Sequence, residues 1–283
     1  MIRWSCHNDN FGPMPAAEAF RFIKMLEYDA VDVSVRGAAP FEEIFRDPEG
    51  FGARIRALAD ETGLGLSELF AGTLSVDGRA IVPTMPEAVD CDALYREFNQ
   101  VFRFARSAGL ASIMTSVGNA QPDEAFEASF ERAGAVLEKL SLQAADYGLK
   151  LHVEPTRTSI LQDPDRAEAF MQLAPHLGYT LDLLHYQING IGAEHVVKLL
   201  PYSGHLHIRQ ARRDVGKCAY EEGEIDYRIL AREIVRTGWQ GDIASEFWCD
   251  EAMTRRGLRP VEQNLVMRYM FRNMLREAGC TGC

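Results

Sequence analysis

Short apolar runs rich in valine, isoleucine and leucine alternate along this chain with longer stretches whose apolar residues recur every three to four positions. Runs of the first kind read as strands buried on both faces, and those of the second as amphipathic helices. Strands are expected at Ile2–Cys6, Ala30–Val35, Gly65–Phe70, Ser112–Val117, Leu149–Glu154, Tyr179–Leu183, His205–Ile208 and Asp242–Phe247. Helices are expected at Ala16–Leu26, Phe51–Thr62, Cys91–Ala108, Pro122–Tyr147, Pro164–Leu173, Ala193–Leu200, Tyr227–Thr237 and Val261–Ala278. Gly63 and Gly238 follow the last periodic residue of two of these helices, where a helix stop belongs. Eight strand–helix units at roughly 30-residue spacing predict an α/β chain folded as a single (β/α)8 barrel, the TIM barrel, over residues 1–283. Its strands would be parallel and its crossovers right-handed. The competing arrangement is an open doubly wound sheet, but no GxGxxG follows the first strand. The connection Ala71–Asp90 is too long for a plain turn and predicts a functional loop or a small extra element.

In such a barrel the chemistry sits at the C-terminal ends of the strands. Reading those ends in the second half gives Glu154 after LKLHV, Asp182 in YTLDLLHY, His207 in GHLHI and Glu246 in IASEFW. His205 and His207 share a strand face, and Arg209, Gln210, Arg212 and Arg213 follow at once. Each of these residues alone has an ordinary structural explanation. A strand-end glutamate can pair with a loop cation, and an aspartate before two leucines can cap a helix. Together they are harder to explain, because converging carboxylates at the end of apolar strands are costly to ionise without a counter-charge. A divalent cation removes that cost. Three carboxylates and one imidazole suit Mn²⁺ first, with Mg²⁺ or Co²⁺ also accepted and zinc left open.

Composition narrows the function further. The chain has 283 residues, 47% hydrophobic and 25% charged, as soluble globular enzymes do. A net charge of −11 argues against a nucleic-acid partner, which needs a basic footprint. No apolar run is long enough for a bilayer or a secretory leader, which predicts no membrane partner and a cytoplasmic protein. The six cysteines are scattered and read as reduced thiols; Cys280 and Cys283 form a lone CxxC, a weak zinc signal at a frayed tail.

The order Glu, Asp, His, Glu on the last four strands resembles the xylose-isomerase-like barrel superfamily of sugar phosphate isomerases and epimerases, closest in pattern to the ketose 3-epimerases of the D-tagatose 3-epimerase type. The resemblance implies that Glu154, Asp182, His207 and Glu246 hold the metal, and that Glu154 and Glu246 are the catalytic acid–base pair. The DxxH motif implies a substrate contact at His185, and HxxxxxR implies another at Arg213. The sequence departs from the pattern at EPTRTSIL, where Thr158 stands in place of a further glutamate. It departs again at the end of the second strand, where Asp32 or Ser34 replaces one.

The implied reaction is removal of a proton beside a ketose carbonyl by one glutamate, an enediolate stabilised by the cation, and return of a proton to the other face by the second glutamate. The partner is then a small-molecule sugar. Trp4 and Trp248 are candidate walls for it and His7 a further contact, whereas Phe70 and Phe247 read as core and His152 as a supporting residue. The same site could instead eliminate a β-substituent, as a dehydratase or lyase of a keto-sugar or keto-glycoside. The endonuclease branch of the superfamily would need more histidines than the seven present and a basic face. A barrel that has lost its chemistry would not keep the four-residue set. By analogy with the family, a homodimer or tetramer is expected.

Overall fold

Runs such as AVDVS and KLHV are too short to be helices and too apolar to face water, and they pair side by side with others of their kind. In the computed structural model, which describes residues 2–281, eight parallel strands close on themselves. They are β1 (Arg3–His7), β2 (Ala30–Ser34), β3 (Gly65–Gly72), β4 (Ser112–Thr115), β5 (Lys150–Val153), β6 (Gly178–Asp182), β7 (Ser203–Ile208) and β8 (Asp242–Ser245). β1 pairs with β8 from Arg3↔Asp242 to Cys6↔Ser245, which completes the (β/α)8 barrel.

The surrounding helices are α1 (Ala16–Met25), α2 (Phe41–Arg46), α3 (Pro48–Thr62), α4 (Asp92–Ala108), α5 (Phe126–Ala145), α6 (Pro164–Phe170), α7 (Leu183–Ile188), α8 (Ala193–Val196), α9 (Tyr227–Thr237), α10 (Glu251–Arg255) and α11 (Pro260–Glu277). Each long helix buries one stripe against the barrel, as α4 does with Phe98, Val101, Phe102 and Ala105. Two boundaries move for identifiable reasons. Residues 122–125 stay out of α5 because Glu124 is held by Arg132 and the Ser129 hydroxyl accepts from the Gln121 amide. α8 stops at Val196 and continues as a 3₁₀ segment, Val197–Tyr202, since Pro201 has no N–H to give the Val197 carbonyl and its ring would crowd that carbonyl in an α-helix.

The long connection carries a small extra element. Ser75–Val76 pairs with Arg79–Ala80 across an Asp77-Gly78 turn in which both residues have positive φ, the geometry that aspartate and glycine accept most readily. A second hairpin, Ala211–Arg212 with Gly216–Lys217, follows β7. Cys6, Cys91, Cys218 and Cys249 are free thiols, while Cys283 of the CxxC lies outside the described residues.

The barrel interior is not aliphatic. Asp32 of β2 meets His205 of β7 at 2.8 Å, and its other oxygen accepts from Ser5 and Ser67. Glu68 of β3 meets His152 of β5 at 2.6 Å and accepts from Ser112 and from Thr180 of β6. β2 and β7, like β3 and β6, are not neighbours, so these bonds cross the interior. Burial alone would raise both carboxyl pKa values, but the histidines outweigh it, holding Asp32 well below the usual range and Glu68 at about 2. His152 in turn lies against Gly204 and Gly178, where an added Cβ would come within 2.6 Å of its ring. Gly204→Ala is therefore expected to destabilise the protein by about 1–3 kcal/mol, because His152 is pinned by Glu68 and cannot retreat. Urea melts check this, and a variant as stable as the parent would show that the ring is free to move.

Candidate metal and substrate site

β5, β6, β7 and β8 are consecutive around the barrel, so residues just past their ends crowd one sector of its mouth. Ligand-type atoms of Glu154, Asp182, His207 and Glu246 lie within 4.8 Å of one another, and all four residues are buried. His207 Nδ1 sits between the two glutamates, 3.0 Å from Glu154 Oε1 and 3.1 Å from Glu246 Oε2. Its Nε2 lies 3.4 Å from Asp32 Oδ2, so the interior acid backs the imidazole. Asp182 does cap a helix: its Oδ1 accepts from the Leu184 amide at 2.8 Å, and its Oδ2 faces the site. That cap starts α7 and places His185 one turn on, with Nε2 3.5 Å from Glu154 Oε2.

Glu246 is fixed from behind. Asn264 of α11 clamps the Phe247 backbone from both sides, accepting from its amide at 3.1 Å and donating to its carbonyl at 2.7 Å. Asn10 donates to the Ser245 carbonyl at 2.7 Å. Nothing in the sequence pattern singled out either asparagine: Asn10 sits in a polar loop and Asn264 follows Glu262 and Gln263, so neither stands out from its neighbours.

The guanidinium at this site belongs to Arg209. It reaches Asp182 Oδ2 at 2.6 Å and Glu246 Oε2 at 3.0 Å, while Tyr227 holds its backbone with one hydroxyl to the carbonyl and amide. Arg213, six residues after His207, is exposed beside Gly190. The turn that opens the 211–217 hairpin carries it away from the pocket, and the return strand brings Lys217 back instead. Thr158 is likewise exposed, and it is Thr156 and Arg157 of that segment that line clefts beside Glu154.

Trp248 is partly exposed over the pocket, under the Lys217 ammonium at 3.3 Å from the ring centre. His7 is buried with its Nε2 unpartnered, edge-on to Phe70 at 4.9 Å, and lines a cavity of about 680 Å³ together with Glu246 and Trp248. Trp4 points the other way. It alternates with Ser5 on β1 and packs edge-on against Phe271 of α11, between barrel and helix, so it walls no sugar there.

The charges of the site are strongly coupled. Burial opposes ionisation of Glu246, but Arg209 and His207 hold its pKa at about 2. Glu154 is likewise held well below the usual range, against its burial, by His185 and His207. Asp182 is pushed up, first by burial and then by the two glutamates. His207 is raised well above the ordinary histidine value despite burial, chiefly by Glu246, Asp32 and Glu154. Glu246 Oε2 is buried without a hydrogen bond of good geometry. Three acids with one guanidinium and two imidazoles around them form a buried, acid-rich cluster whose oxygens suit a hard divalent cation.

A family model for the xylose isomerase-like TIM barrel matches residues 20–268. The chain belongs to the xylose isomerase-like TIM barrel family. Among solved structures it is similar to an L-ribulose 3-epimerase, with 16% identity, TM-score 0.77, and 98% and 96% of the two chains covered. A 3-keto-D-glucoside 4-epimerase from E. coli shares 16% identity at TM-score 0.72, over 96% of this chain and 100% of that one. A probable 3-DHS dehydratase from Bacillus anthracis shares 12% identity at TM-score 0.73, over 96% and 99%. No curated protein matches by sequence. Among the described residues no helix is long and apolar enough to cross a membrane.

Proposed function

We propose that this family member is a divalent-metal-dependent isomerase or epimerase of a ketose or related keto-sugar. The observation that carries the reading is the buried Glu154–Asp182–His207–Glu246 quartet, whose ligand-type atoms all lie within 4.8 Å of one another. A Mn²⁺, Mg²⁺ or Co²⁺ ion held by these four residues would supply Lewis acidity toward the substrate carbonyl and its neighbouring hydroxyl. The chain does the rest. Glu154 opens toward clefts lined by Phe70, Thr115 and Thr156, and Glu246 toward the cavity lined by His7 and Phe11. A sugar seated between them has a carboxylate on each face. One takes the proton beside the carbonyl and the other delivers a proton to the opposite face. His185 and Arg209 donate N–H groups to the oxygens that gain charge, and Trp248 and His7 wall the ring.

Metal analysis of the purified protein, followed by deuterium exchange from heavy water over a panel of ketoses, tests the reading. Retained metal and exchange at a single carbon are expected; a protein that binds no divalent ion and exchanges no ketose would refute it. A pH experiment probes the ligand role of His207. Its raised pKa means that its proton stabilises the metal-free fold fully below pH ~6.5 and less as pH rises through the folded value. Metal must displace that proton, so the stabilisation gained on adding Mn²⁺, read from melts, should grow from pH 6 to pH 8, by up to about 1.4 kcal/mol per pH unit. A shift independent of pH would remove His207 from the ligand set.

One observation favours a second reading, a dehydratase or lyase of a keto-sugar or keto-glycoside. The cavity of about 680 Å³ beside Glu246 is lined by Phe11, Pro13, Met14 and Leu258, which leaves room for a group beyond the sugar ring. Incubation with Mn²⁺ and 3-keto-glycosides against free ketoses separates the two: an unsaturated product with release of the substituent marks elimination.

A further inference from the structure

We propose that the substrate carries an acidic group, a carboxylate or a phosphate, and that this group docks on Lys217 with Arg36 and Arg157 at the rim of the same pocket; this rests on the keto-sugar reading above and names its substrate class. The pocket, of about 410 Å³, holds Glu154, His185, Arg209 and Glu246 together with these three cations. Arg209 is already committed to Asp182 and Glu246. Among the described residues no carboxylate lies within ion-pair reach of Lys217, Arg36 or Arg157. Arg36 rests on the Phe70 ring at 4.8 Å, and Lys217 on Trp248. In a chain with 41 acidic and 30 basic residues, free cations gathered at one opening run against the background. Elsewhere cations either pair, as in Arg103–Glu49 and Arg132–Glu124, or stand exposed on the surface, as Arg96, Arg106 and Arg228 do; Lys217, Arg36 and Arg157 instead share one pocket.

Lys217 carries the argument. An ammonium has three donors, and the protein uses one, on the Trp248 carbonyl at 2.5 Å. The side chain is largely withdrawn from water, and burial followed by the nearby Arg209 charge pushes its pKa down to about 8. Glu246 and Asp250, which also line this pocket, act on Lys217 from a distance and raise its pKa, but neither pairs with the ammonium, and an anionic ligand group would fill that place directly. The hairpin that swings Arg213 outward is what delivers Lys217 to the pocket. A lysine serving only as a strut between the hairpin and the β8 loop would need the Trp248 contact alone and would not discriminate among ligands by charge.

The test uses the full chain loaded with Mn²⁺, the variant Lys217→Gln, and the control Arg212→Gln, an exposed arginine paired with Asp214. Inorganic phosphate and malonate are titrated by calorimetry, and deuterium exchange is followed with D-fructose, D-fructose 6-phosphate and D-fructuronate. We expect one of the two anions to bind and to compete with the charged ketose of its own kind, which tells phosphate from carboxylate. Lys217→Gln should weaken that anion roughly tenfold or more and raise KM for the charged ketose equally, with kcat changed much less. Arg212→Gln should change neither, and added salt should weaken binding to the parent protein. Anion binding that Lys217→Gln leaves unchanged, or D-fructose exchanged as efficiently as both charged ketoses, would overturn the proposal. Anion binding that depends on Lys217 without exchange of any ketose would uphold it while refuting the isomerase reading.

Discussion

Replacing Glu246 by glutamine is expected to lower deuterium exchange at the substrate carbon by about three orders of magnitude or more at saturating Mn²⁺. Glutamine keeps the shape of the side chain, and the Asn264 clamp on Phe247 still fixes the backbone behind it. What is lost is the only form of the group that can accept a proton. Glu154→Gln should fall as far, because each face of the substrate depends on one carboxylate. The double variant should be little worse than either single one, as residues that work as a unit are not additive. Proton NMR in heavy water reads the exchange, and a parallel metal titration separates a lost base from a lost ligand. Exchange surviving in both single variants would end the two-glutamate mechanism.

Asp32→Asn is expected to destabilise the metal-free protein by about 3–5 kcal/mol, because it strands imidazole charge in the barrel interior. Asp32 lies 2.8 Å from His205 and 3.4 Å from His207, and every group in that contact is almost fully buried. Its pKa is held well below the ordinary value, so its contribution is present above pH ~4 and is lost as pH falls through the folded value. His205 is raised, against burial, by Asp32 and Glu68, so its share is full below pH ~6.5 and declines as pH rises. The parent should therefore be most stable between the two limits and the variant flatter with pH. Because Asp32 also orients His207, Mn²⁺ affinity should fall by about 10–100-fold in the same variant. Urea melts from pH 4 to pH 9 and a metal titration check both. A loss under 1 kcal/mol would mean that the interior pair is uncharged.

The barrel was legible in the sequence because its strands are short, apolar and regularly spaced, and α9 runs over the same residues, Tyr227–Thr237, in both readings. Short elements were not. Phe41–Arg46 and Leu183–Ile188 are too brief to show a helical period, and α7 exists because Asp182 caps it. The convergence of Glu154, Asp182, His207 and Glu246 was legible because each sits at or just past the end of an apolar strand, where a charged residue stands out. Residues that depend on loop geometry were hidden. A fixed offset from His207 points to Arg213, but the chain turns back on itself at the 211–217 hairpin, so Arg209 and Lys217 occupy the pocket. Trp4 shows the same limit on a strand. Its position near the mouth was readable, but its face of the barrel was not, because β1 alternates apolar Trp4 and Cys6 with Ser5 and His7, all buried.

The polar seam through the barrel has a consequence for how this chain can change over generations. Glu68, His152, Asp32 and His205 satisfy one another in pairs, so any single swap to a hydrocarbon side chain abandons a charge away from water. The seam can be replaced only by simultaneous changes on strands far apart in the chain. Neutral drift therefore has no stepwise route to an oily interior, and the ionic arrangement persists by epistasis whether or not the reaction above it is kept.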